Sequence, residues 1–256
     1  MTPVAYDRGG RGEPLVLLHP LGGDRHVWRP VRGLLEPHRD VIAVDLPGFG
    51  ASPPVTGSAA PDDLAAAVGG LLDDLALDRP HVAGNSLGAW VALALAQQGR
   101  AATVTAIAPA GLWSRPLPPK PEVARTAARL LRPLVGPALH VESLRRAALL
   151  GVVARPENVP AADAARLVRA YADAPGFTAA NRAMRAGTFT ALADLDVPVT
   201  LVWPEHDRLV ARVRHAPAHV RQVTLPGCGH VPMWDDPPAV AEALLDGSAA
   251  GETVAA

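Results

Sequence analysis

The sequence predicts an α/β fold, with a mainly parallel central sheet and helices on both faces. Three observations carry that expectation. Short apolar runs rich in β-branched residues recur along the 256 residues. Stretches with helical spacing lie between many of them. Each run shows little alternation and ends at small or polar residues, as strands buried on both faces do. Strands and helices in turn build a sheet covered on each side. In such sheets ligands gather beyond the carboxyl ends of the strands.

Taken in order, residues 1–14 are polar, contain proline and glycine, and give no strand signal. Strands are expected at 15–18, ending at His19, and at 41–44, ending at Asp45. A third, 81–83, runs into Gly84, and a fourth, 104–108, into Pro109. The last two, 199–203 and 222–225, end at Pro204 and Pro226. Helical spacing covers 27–35, 62–75, 87–98 and 239–245. One segment breaks the alternation. From 113 to 190 the chain is rich in Ala, Arg and Leu, helical in pattern, and cut by prolines. This divides the chain into a first core part at 1–112, a helical cap or lid at 113–190, a second core part at 191–246, and a frayed C-terminal tail at 247–256.

Composition narrows the function. Apolar residues make up 49% and charged residues 19%, the balance of a globular protein. The net charge of −1 gives no global reason to expect nucleic acid or an anionic membrane as partner. One cysteine, Cys228, excludes an intrachain disulfide. The run at 15–18 is too short for a signal-peptide core or a membrane span, so a cytoplasmic location is expected.

Gly84-Asn85-Ser86-Leu87-Gly88 matches the G-x-S-x-G turn that needs a strand before it and a helix after it. Both are expected here. A serine on such a turn projects its hydroxyl above the sheet from a strained backbone, and the following helix aims its free N–H groups at the reacting centre. Ser86 is therefore the candidate nucleophile.

A serine hydroxyl needs a base to accept its proton. Of nine histidines, His230 lies in Gly227-Cys-Gly-His230-Val-Pro232, a loop between the last strand and the last helix. His215 and His219 have a metal-like spacing, but Pro217 between them argues against a regular helix presenting both. The base in turn needs a carboxylate to fix its tautomer. Asp207 follows the strand at 199–203 by a short turn, with Glu205 as its nearest rival. Asp235 and Asp236 stand where the final helix opens. Acyl transfer also needs two N–H donors for the developing oxyanion. Leu87 supplies one by position, and Leu21, in His19-Pro-Leu-Gly-Gly23, is assigned the other.

At these residues the chain resembles the α/β-hydrolase superfamily, in its serine-nucleophile branch with a helical cap. The resemblance rests on His19-Pro-Leu-Gly-Gly23, Asp45-Leu-Pro-Gly-Phe-Gly-Ala-Ser52, the serine turn, 197–203 and Cys228-Gly-His230. It implies the chain order nucleophile, acid, histidine, and a structural role for Asp45. Pro20 stands where the family usually has glycine, and Pro204 where it often has glycine before the acid. Serine at the turn separates the chain from haloalkane dehalogenases and epoxide hydrolases, which attack with a carboxylate.

The expected activity is hydrolysis of a small carboxylic ester or thioester through an acyl-enzyme on Ser86. Gly-Asn-Ser, Cys-Gly-His and Ala108-Pro-Ala-Gly111 also resemble C–C bond hydrolases of vinylogous diketones, though Val231 replaces their tryptophan. A non-hydrolytic binding member of the fold is the other alternative. No cofactor or metal is called for, and the partner is a small acyl molecule. The insertion at 113–190 is formally +7 and the rest of the chain −8. Solvated arginines on helix faces are the plainer explanation. Attraction of an anionic substrate or acidic carrier is the sharper one, with Arg182 and Arg185 as candidates. Trp28, Trp113 and Trp234 are candidates for an apolar substrate pocket.

Overall fold

The structure is a computed structural model that describes residues 4–54, 57–119 and 121–249. The strands are β1 (Tyr6–Gly10), β2 (Pro14–Leu18), β3 (Asp40–Val44), β4 (His81–Asn85), β5 (Thr103–Ile107), β6 (Val199–Pro204) and β7 (Arg221–Leu225). They form one sheet in the order β1-β3-β2-β4-β5-β6-β7. β1 pairs antiparallel with β3, and the other pairs are parallel. Six strands fall where the apolar runs place them. β1 does not announce itself, because Tyr-Asp-Arg-Gly-Gly has no apolar period and gains its order by pairing at the sheet edge. Ala108 lies outside β5 and takes φ +45°.

Around the sheet run α1 (Arg29–Leu35), α2 (Pro61–Asp74), α3 (Leu87–Gln97), then α4 (Val123–Leu130), α5 (Arg132–Ala138), α6 (Glu142–Ala148), α7 (Ala161–Asp173), α8 (Phe177–Ala186) and finally α9 (Pro237–Ala249). Successive strand residues point to opposite faces. Val16 and Leu18 of β2 therefore join a core with Leu64 and Leu72 of α2 and Leu93 of α3. Leu15 and Leu17 join the other, with Val31 and Leu35 of α1 and Leu244 of α9.

The last helix corrects the expected tail at 247–256. α9 continues to Ala249, and Gly247 and Ser248 are buried in it. Gly247 sits so close to β5 that a Cβ there would meet Thr105 Oγ1 at 2.0 Å. The small residues that suggested fraying are what lets the helix approach the sheet. Residues 250–256 lie outside the described part.

The topology positions the site. The chain passes from β2 to β3 on one side, then to β4 on the other side of β2. The carboxyl ends of β2 and β4 thus border the crevice where the strand order reverses. Leu18, the last residue of β2, pairs with Gly84. Helices α4 to α8 occupy the connection between β5 and β6. Its two ends are tied together: the Phe189 N–H donates to the Gly111 carbonyl at 2.8 Å, and the Trp113 indole donates to the Gly187 carbonyl at 2.8 Å. Among the described residues no helix is long and apolar enough to cross a membrane.

Candidate active site

Ser86 stands between β4 and α3 with φ +54° and ψ −112°. A non-glycine residue occupies that region only where its surroundings hold it. The surroundings are backbone: the Ser86 N–H donates to the Ile107 carbonyl at 2.9 Å, and its carbonyl accepts from Trp90 and Ala110, each at 3.1 Å. The flanking glycines are required by space. A Cβ at Gly84 would meet the Gly88 carbonyl carbon and oxygen at 2.2 Å. A Cβ at Gly88 would meet the Leu18 carbonyl oxygen at 2.2 Å. The start of α3 is thereby pressed against the end of β2, where the His19–Gly23 loop begins.

That loop is set by a buried histidine. Nδ1 of His19 lies 2.8 Å from the Pro20 carbonyl, and the Leu46 N–H donates to Nε2 at 2.9 Å. A ring that accepts at Nε2 and faces a carbonyl at Nδ1 is neutral with its proton on Nδ1. Burial lowers the pKa of His19, and the Pro20 carbonyl opposes this only in part. The Gly23 N–H also donates to the Pro20 carbonyl, at 2.9 Å. Two donors fix the Pro20–Leu21 peptide, so the Leu21 N–H is turned to the opposite side. Among the described residues neither the Leu21 nor the Leu87 N–H has a protein acceptor.

Asp207 and His230 meet beyond the ends of β6 and β7. Asp207 Oδ2 lies 2.8 Å from His230 Nδ1, and both side chains are buried. Asp207 Oδ1 accepts the Leu209 and Val210 N–H groups at 2.7 and 3.0 Å. Burial pushes the Asp207 pKa up, but the imidazole and the two backbone donors outweigh it and hold the carboxyl below its ordinary range. With the carboxylate so oriented, a neutral imidazole donates from Nδ1 and leaves the Nε2 lone pair free. The rival Glu205 is committed elsewhere, accepting the Gly227 N–H at 2.8 Å. Asn85 donates to the His230 carbonyl at 3.0 Å, which ties the histidine loop to the residue beside Ser86. Among the described residues no hydrogen bond joins the Ser86 hydroxyl to the imidazole. Such bonds are commonly long before substrate binds.

Other expected site residues fall differently. Trp28 is fully buried in the core with Leu15, Val31 and Leu35. Trp234 is buried in the same core. Arg185 is half-buried, and its guanidinium Nε donates to the Pro118 carbonyl at 2.7 Å. Arg182 is exposed. Asp45 is structural, accepting the Arg25 and Ala51 N–H groups at 2.7 and 2.8 Å and the Arg25 guanidinium.

Asp235 is the residue the sequence does not single out. The opening of α9 is capped by Asp236, which accepts the Ala239 N–H at 3.0 Å. Asp235 turns inward instead. Its Oδ2 accepts Gly229 N–H at 2.8 Å and Ala154 N–H at 3.0 Å, and its Oδ1 accepts Arg155 N–H at 2.7 Å. One carboxylate thus joins the His230 loop to the α4–α8 insertion. The Val231 N–H adds a bond to the Val152 carbonyl at 2.9 Å. The available signal was that two adjacent acids preceded one helix, which needs one cap.

Comparison with known proteins places the chain in a family. The model of the alpha/beta hydrolase family matches residues 15–243. An epoxide hydrolase of Mycobacterium tuberculosis is 34% identical over 189 residues, covering 68% of this chain and 87% of that protein. A thermophilic esterase from Thermogutta terrifontis superposes with a TM-score of 0.68 at 24% identity, over 95% of this chain and 92% of its own. An enol-lactonase from Burkholderia xenovorans gives a TM-score of 0.71 at 22% identity, over 96% of each chain. These two structures speak for the fold alone.

Proposed function

The chain belongs to the alpha/beta hydrolase family, and on that premise we propose that it is a serine hydrolase of small carboxylic esters or thioesters. The observation that carries this reading is the 2.8 Å Asp207–His230 contact, held in a loop bonded to the neighbour of Ser86. In the proposed reaction His230 Nε2 takes the Ser86 proton as Oγ attacks the carbonyl carbon. The negative charge on the former carbonyl oxygen falls to the Leu21 and Leu87 N–H groups and the positive end of α3. The imidazolium returns the proton to the leaving alkoxide or thiolate. Water then attacks the acyl-enzyme, with His230 taking its proton, and the carboxylic acid leaves as Ser86 regains a hydrogen. Asp207 holds the imidazole and stabilises its charged form.

The epoxide-hydrolase relative raises a different reaction. Ring opening by a serine would leave an alkyl ether, which has no carbonyl for water to attack. An acyl ester on Ser86 has one, so the hydroxyl nucleophile favours acyl substrates.

The insertion at 113–190 is proposed as a cap that shapes substrate choice. Its support is contact with three loops of the site. A Cβ at Gly22 would meet Tyr171 at 2.8 Å and Phe177 at 3.1 Å. The Gly176 N–H donates to the Gly48 carbonyl at 2.9 Å, and Asp235 fastens residues 154 and 155. A cytoplasmic location is part of the same proposal.

The test is labelling by a fluorophosphonate together with turnover of p-nitrophenyl esters, acyl thioesters and a dienol-diketone. Stoichiometric adduct on Ser86, ester or thioester turnover, and its loss in a folded Ser86→Ala protein are expected. Labelling of another serine would remove Ser86 from its role, and preference for the diketone would favour C–C cleavage.

A further inference from the structure

Seven of the ten large apolar side chains that stand exposed among the described residues fall between positions 123 and 150. Scattered exposed leucines are ordinary, but a contiguous group marks an interaction surface. The group arises because α4 is inside out. Val123, Ala127 and Leu130 recur at i, i+4 and i+7, one stripe of a helix. That stripe faces solvent, with Val123 72% and Leu130 77% exposed. The one buried side chain of α4 is Arg125.

Arg125 explains the orientation. Its guanidinium donates to the Tyr171 and Ala174 carbonyls at 3.1 and 2.6 Å, and to Glu122 and Thr178 at 3.0 and 3.2 Å. It also lies 4.8 Å from the centre of the Phe177 ring. A buried cation with all these partners holds its helix face inward. The apolar stripe on the opposite side is thereby turned out. The next two helices extend the patch: Leu131 and Leu134 at α5, then Val141 and Leu144 at α6, are each at least half exposed. No side chain of α6 is buried.

The insertion that carries the patch is basic, with eleven arginines and Lys120 against five acidic residues between 113 and 190. Residues 121–150 hold five arginines against two glutamates. Arg129 is exposed and has no acidic partner among the described residues. Arg132 pairs with Asp173, and Arg146 with Glu142 and Glu157, in exposed ion pairs that contribute little. Exposed leucines interspersed with arginines on short surface helices have the chemistry of an interfacial membrane contact. A second copy of the chain would bring two insertions of net positive charge together. An anionic bilayer attracts the arginines and takes apolar side chains from several helices without needing a complementary shape.

We propose that the outer face of α4 to α6 docks peripherally on anionic phospholipid bilayers. The contact lies on the insertion proposed above as the cap. It does not depend on which bond the enzyme cleaves.

Co-sedimentation of the full chain with vesicles tests this. The protein is expected to bind phosphatidylcholine–phosphatidylglycerol vesicles, to release as salt rises, and to ignore pure phosphatidylcholine. Leu130→Ser, Leu134→Ser and Leu144→Ser combined should lower the bound fraction at least about tenfold while the unfolding temperature holds. Arg129→Glu should weaken binding to the anionic vesicles. Absence of vesicle binding, equal binding to neutral vesicles, or undiminished binding by the triple variant would overturn the proposal. So would a dimer on size-exclusion chromatography that the triple variant abolishes, since the patch would then serve self-association.

Discussion

The side-chain amide of Asn85 donates to the backbone carbonyl of His230 at 3.0 Å, joining residues 145 positions apart. The same amide donates to the Ile107 carbonyl at 3.2 Å. The amide therefore ties the end of the strand that leads into Ser86 both to the histidine loop and to the end of β5. Asn85→Asp would set a buried carboxylate against two carbonyls. The expected cost is about 3 kcal/mol in urea unfolding, with kcat falling more than KM rises. Unchanged stability would show that the loop is held by other means.

Asp207 and Glu205 can be told apart by their partners. Asp207→Asn should lower kcat by about 10⁴, because an amide can trap the wrong imidazole tautomer and cannot stabilise the imidazolium. Glu205→Gln removes a charge from a loop bond to Gly227 and should leave kcat within a few-fold. Steady-state kinetics on a p-nitrophenyl ester decide it, and a crippling Glu205→Gln would exchange the two roles.

His19 makes stability depend on pH. Burial lowers its folded-state pKa, so on acidification the unfolded chain takes up the proton first. Its contribution is whole above the unfolded value of about 6.5 and is lost as pH falls below that towards the folded value. The slope approaches about 1.4 kcal/mol per pH unit for one proton. In His19→Gln that part of the slope disappears, so the stability gap between wild type and variant should narrow on acidification. A gap that stays constant across this window would mean that His19 takes up its proton equally in both states.

Asp235 and Asp236 are adjacent acids with unequal duties. Asp235→Ala leaves three backbone donors without an acceptor and should cost about 3 kcal/mol or more. Asp236→Ala removes one helix cap, worth about 1 kcal/mol. Limited proteolysis adds a local measure: cleavage near 150–155 should quicken in the first variant and not in the second. Equal destabilisation by both would deny Asp235 its bridging role.

Local patterns in the chain carried a good deal of this. Six strands were legible because strands buried on both faces are continuous apolar runs. Ser86, His230 and Asp207 stood out because the serine turn needs glycines at fixed offsets and because each candidate follows a strand end. Those are short-range constraints, written within a few residues. β1 was not legible, since an edge strand such as Tyr6–Gly10 takes its order from β3 and carries no period of its own. The tail was misplaced because small residues read as fraying when the helix needs Gly247 to reach Thr105.

The sequence by itself determined the class of fold, the residue types of the site and the apolar stripe on α4. Only the tertiary structure decided which way that stripe faces and which acid bridges to the insertion. Periodicity states that a helix has an apolar side; it does not state what the other side will touch. Arg125 chose the inward face through partners at Tyr171, Ala174 and Thr178, some 50 positions away. Asp235 likewise found its donors about 80 residues upstream. Such bonds exist only once packing has brought distant backbone together and removed water from around it.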